Sequence, residues 1–86
     1  MTFQGAVIKE QGVTFAIVVV NKSVIDNHAE ANKAIIGFQS YFPGLPVVLM
    51  AQDHTGVPMY YGRKDIAKFL ASVPFQAIPW REYTTN

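Results

Sequence analysis

Two segments, Phe15 to Val20 (FAIVVV) and Val47 to Ala51 (VVLMA), are apolar without alternation. A strand with one wet face alternates polar and apolar residues, so an unbroken apolar strand is buried on both faces. These two strands therefore belong at the centre of a sheet and require cover on two sides. The remaining sequence supplies two convincing amphipathic helices, and in a chain of 86 residues both are expected on one face of the sheet. The opposite face then needs a partner, and a homodimer is the expected way to cover it.

At this length the chain reads as one small domain over residues 1–86, near the size at which folding buries roughly 60% of the unfolded surface. The 7 Lys and Arg against 6 Asp and Glu are scattered singly and in pairs. Phosphate-backbone binding calls for a basic stripe, so nucleic acid is not an expected partner. Hydrophobic residues make up 50% of the chain and charged ones 15%, a balance that again points to a protein–protein surface. The chain has no cysteine, which removes disulfides, thiolate metal sites and cysteine nucleophiles. No apolar run is long enough to span a bilayer and the first residues lack a leader pattern, so a cytoplasmic location is expected.

Phe3 to Lys9 reads as a strand, and Gln11-Gly12 as a short reversal into Val13 to Val20. Asn21 to Asn27 breaks the apolar run, and Asn27 with Glu30 has the spacing of a capping box. The helix that follows carries Ala31, Ala34, Ile35, Phe38, Tyr41 and Phe42 on one stripe and ends at Pro43-Gly44. Val47 to Gln52, a turn at Asp53-His54-Thr55-Gly56 and Val57 to Tyr61 form a second hairpin. Ile66, Phe69, Leu70 and Val73 mark a second helix, stopped by Pro74. Phe75 to Ile78 is expected to be a last short strand ended by Pro79, with residues 79–86 as a tail. The fold class is α/β, specifically an α+β two-layer sandwich with a mixed sheet of four to five strands in the order β-β-α-β-β-α-(β). The link from the second strand through the first helix to the third strand is expected to be a parallel crossover.

Leu45 to Leu70 (LPVVLMAQDHTGVPMYYGRKDIAKFL) has a proline before a strand, a Gly-containing hairpin, and a Gly leading into an amphipathic helix. In that pattern it resembles the C-terminal half of a thioredoxin-like domain, over less than a third of the chain. The resemblance implies a cis peptide at Pro46. It implies no redox activity here, because the dithiol motif of that family is missing.

The best-formed candidate site is the start of the second helix. Gly62, Arg63 and Lys64 combine free backbone N–H groups, the positive end of the helix dipole and two cations, and Tyr60 and Tyr61 precede them. Adjacent strand residues point to opposite faces, so only one of the two tyrosines can flank such a pocket. The plainer reading is that Gly62 makes the turn, Arg63 and Lys64 are solvated, and Asp65 complements the dipole. Asp53 with His54, and Asp26 with His28, have no spacing suited to a metal or to acid–base chemistry, and turn and cap roles account for the Asp and Asn residues. Ser23, Ser40 and Ser72 lie in no nucleophile-elbow context. No catalytic, metal or cofactor site is therefore expected. Trp80 and Tyr83 are the expected interface anchors. The sequence thus points to a homo-oligomeric interaction or ligand-binding module without catalysis. The alternative is a small-molecule or anion site, with or without catalysis, at Tyr60, Tyr61, Gly62, Arg63 and Lys64.

Overall fold

A computed structural model describes residues 2–10 and 12–84. The elements are β1 (Thr2–Glu10), β2 (Val13–Val19), α1 (Lys22–Asp26), α2 (His28–Gln39), β3 (Val47–Gln52), β4 (Pro58–Tyr61), α3 (Lys64–Ala71), a 3-10 turn (Phe75–Ala77) and β5 (Arg81–Thr84). They form one five-stranded mixed sheet in the order β4-β3-β2-β1-β5, the α+β class that the patterning predicts. β2 and β3 run parallel, with Ile17 opposite Val48, and the other three pairings are antiparallel. The two apolar runs are the innermost pair: Ala16, Ile17, Val18, Val48 and Leu49 have no exposed surface.

Local chemistry starts and stops these elements. Gly12 has φ +79°, which suits the tight β1–β2 reversal; Gln11, the other residue expected there, lies outside the described residues. The Asn27 side chain accepts from the Glu30 N–H at 3.2 Å and caps α2. Asn21 to Asn27, expected only as a break, includes the one-turn helix α1, whose Ile25 is buried and whose Lys22 pairs with Asp26 at 2.7 Å. α2 ends at Gln39, so Tyr41 and Phe42 follow it rather than belong to it, although Phe42 is still buried.

The placement of the helices differs from the two-layer expectation. α2 lays Ala31, Ala34, Ile35 and Phe38 on the face formed by Ala16, Val18, Leu49 and Ala51. α3 lays Ile66, Phe69 and Leu70 on the other face, against Phe15, Ile17, Val48 and Met50. The sheet is therefore sandwiched between helices, and the face expected to be bare is covered by its own chain. Gly62 directs this. Its φ is +152°, and a Cβ there would lie 3.1 Å from Val48 Cγ2 and 3.2 Å from Val48 Cα. The chain can thus cross closely onto the Val48 side before α3 begins.

The C-terminal segment also differs. Phe75–Ala77 is a 3-10 turn rather than a strand, and Arg81–Thr84 of the expected tail is an edge strand paired with β1. Pro79 precedes this strand, where its missing N–H costs the ladder nothing. Thr85 and Asn86 lie outside the described residues. Trp80 folds back over its own sheet, its Nε1 donating to the Phe75 carbonyl at 3.2 Å. Tyr83 stacks on Phe3 with centroids 5.2 Å apart and planes 10° from parallel. No peptide bond among the described residues is cis, so the Pro46 expectation drawn from the thioredoxin-like resemblance is not met.

Gly5 sits in β1 between Val18 of β2 and Arg81 of β5. A Cβ there would lie 2.7 Å from the Ile17 carbonyl oxygen, a backbone atom that cannot move aside. Gly5→Ala is expected to destabilise the fold by about 1–3 kcal/mol through overpacking, measured as a lowered midpoint in urea.

Candidate functional site

The strand-to-helix junction after β4 and one flank of α2 enclose a cleft of about 290 Å³. Asn32, Ile35 and Gln39 come from α2, Val47 from the start of β3 and Pro46 from just before it, and Tyr61, Gly62 and Arg63 from the end of β4 and the junction. Asn32 and Gln39 are seven residues apart, two helical turns, and so share one flank of the helix. Ile35, Pro46 and Val47 form the apolar part of the lining.

The polar groups of the cleft are organised. The Tyr61 hydroxyl donates to Asn32 Oδ1 at 3.0 Å. With its oxygen so engaged, Asn32 has an amide N–H₂ to offer as a donor. The His28 ring lies 5.1 Å from the Tyr61 ring and helps hold it against the helix. Arg63 donates from Nε to Asp65 Oδ1 at 2.8 Å, and this leaves its two terminal nitrogens without a partner among the described residues. The pair is exposed on both sides, so it orients the guanidinium more than it stabilises the fold. Desolvation acts to raise the Asp65 carboxyl, but the Arg63 bond and charge hold it below its ordinary value.

Of the residues expected at this end of the sheet, Tyr61, Gly62 and Arg63 line the cleft. Tyr60 points to the α3 face and packs with Ile66, Leu70 and Met50. Its hydroxyl is buried without a hydrogen-bond partner, and burial pushes the phenol above its ordinary value. Lys64 is exposed at the first position of α3, outside the cleft. Asn32 and Gln39 are the cleft residues that local pattern does not reveal. Their seven-residue spacing, which sets both on one flank of the helix, is the one local signal that could find them.

The other candidates resolve into local structure. Asp53 accepts from the N–H groups of Thr55 at 2.8 Å and Val57 at 3.0 Å, closing the β3–β4 turn. Ser40 and Ser72 donate back to the carbonyls of Gly37 and Phe69 at helix ends. Among the described residues no three His, Asp or Glu side chains gather as a metal site. Among the described residues no helix is long and apolar enough to cross a membrane. No family model, curated protein or solved structure matches the chain.

Two outcomes are expected. Tyr60→Phe removes a buried hydroxyl that has no partner, so it should leave stability unchanged or raise it by up to about 1 kcal/mol, read by thermal and urea denaturation. The Asp53 carboxyl is held below its ordinary value of 3.8, chiefly by the Thr55 hydroxyl. A depressed carboxylate stabilises the fold above the unfolded pKa and loses that contribution as pH falls through the folded one. Acid titration should therefore loosen the β3–β4 turn below about pH 3.8, and Asp53→Ala should remove that step from the amide spectra of Thr55 and Val57.

Proposed function

We propose that this protein is a small binding module whose site is the cleft between α2 and the β4–α3 junction. Its ligand class is a compact molecule bearing a carboxylate or phosphate. The observation that carries this reading is the convergence of hydrogen-bond donors from two separate elements, the Asn32 and Gln39 amides of α2 and the Arg63 guanidinium, beside an apolar wall of Ile35, Pro46 and Val47. Donor-rich pockets with one guanidinium suit planar or tetrahedral oxyanions. The lining includes no carboxylate and no activated nucleophile, so binding rather than catalysis is the role proposed. The same reading keeps the expectation of a cytoplasmic protein.

A role in association by way of the sheet face loses its first support, because α3 and Trp80 cover that face. Any self-association proposed for the chain has to use another surface.

Thermal denaturation in increasing inorganic phosphate, acetate and sulfate tests the reading. At least one of these oxyanions should raise the melting temperature with the logarithm of its concentration above Kd, reaching about 2.7 kcal/mol of stabilisation at a hundredfold excess over Kd. Arg63→Ala should abolish the shift and Asn32→Ala should weaken it. Equal shifts in the parent and in Arg63→Ala, or none in either, would refute it.

A further inference from the structure

β4 and β5 are the two edges of the sheet, and they differ in charge. β5 presents exposed Arg81 and Glu82, and charges on an edge strand discourage pairing with another chain. β4 has no charged residue, all four of its residues are only half-buried, and Val57 just before it is 55% exposed.

The hairpin register shows which backbone groups of β4 point outward. The Asp53 N–H donates to the Val57 carbonyl at 3.1 Å, which makes these two a hydrogen-bonded pair at the mouth of the hairpin. Bonded and non-bonded pairs alternate along an antiparallel ladder. With Gln52 opposite Pro58 and Met50 opposite Tyr60, Met59 and Tyr61 then bond to β3 while Pro58 and Tyr60 face away. A proline suits an outward position because it has no N–H to leave unpaired. Tyr60 is left with both an N–H and a C=O directed away from the sheet.

We propose that β4 pairs antiparallel with β4 of a second copy of this chain, about a two-fold axis centred on Tyr60, joining two five-stranded sheets into one. Edge-to-edge pairing of this kind needs an axis perpendicular to the sheet, so the central residue meets its own counterpart. At Tyr60 the two backbones exchange two N–H···O=C bonds. On the α2 face, Met59 lies opposite the partner's Tyr61, a favourable sulfur–aromatic pairing. Centring the same operation on Arg81 or Glu82 of β5 would set like charges face to face. The second copy is thus the occupant that β4 suits. Tyr61 also lines the cleft, so the partner's Met59 would border that site. The pairing itself does not rest on the ligand reading.

Light scattering over a dilution series, with far-UV circular dichroism to confirm folding, tests this. The parent chain should show twice the monomer mass at high concentration. Val57→Lys would add a cation at the exposed start of the pairing edge, and Met59→Lys a cation within it; each should raise the dimer Kd at least about tenfold, or 1.4 kcal/mol. Glu82→Ala on the far edge should leave the mass unchanged. The Val57 side chain is exposed and precedes β4, so its variant decides the matter if Met59→Lys fails to fold. A monomer at every concentration, or a dimer indifferent to Val57→Lys, would overturn the proposal.

Discussion

The parallel pairing of β2 with β3 is the constraint on which the rest of the molecule depends. Its central side chains are sealed from water on both faces. Burying each side chain of this size contributes roughly 1.5–3 kcal/mol, which is needed to offset the backbone and rotamer entropy lost on ordering a short chain. A parallel pair cannot be closed by a tight turn, so the chain between the two strands must cross over one face. α1 and α2 are that crossover. The second face is then covered by the chain that follows β4, and α3, the 3-10 turn and Trp80 lie there.

Features set by local pattern were legible in the sequence. The hairpins, the Asn27 cap, the stripe of α2 as far as Phe38 and the i, i+3, i+4 spacing of α3 depend on near neighbours and read correctly, whereas Tyr41 and Phe42 lie past the end of α2. The side of the sheet to which α3 turns does not depend on its own stripe, because Phe15 and Val48 are as apolar as Ala16 and Leu49. It depends on the backbone at Gly62 and its close approach to Val48. α1 is too short to show periodicity. Pro79 was ambiguous for a different reason: a proline can end one strand or precede the next, and only the β1 edge available to Arg81–Thr84 decides between them.

The same division runs through the candidate site. Tyr61, Gly62 and Arg63 stand out as a strand-to-helix junction, and the two-residue period already implied that Tyr60 and Tyr61 would part. Asn32 and Gln39 read as the polar side of a helix, and nothing local brings them to the junction, whose Tyr61 lies 29 residues beyond Asn32. That meeting is made by the β2–β3 crossover, which lays α2 along β3 and so beside β4. The Tyr61 hydroxyl bond to Asn32 records it.

The arrangement at the start of α3 also shifts the chemistry away from the helix end itself. The N-terminal charge of a helix dipole is satisfied by an anion in the first turn, and Asp65 already supplies one. An external anion directly over that end would meet the Asp65 carboxylate. Arg63 links the two regions, since Nε is held by Asp65 while the residue lines the cleft. Asp65 thus orients the guanidinium, and the proposed oxyanion site lies on the α2 side, between Arg63, Asn32 and Gln39, where the lining holds no carboxylate.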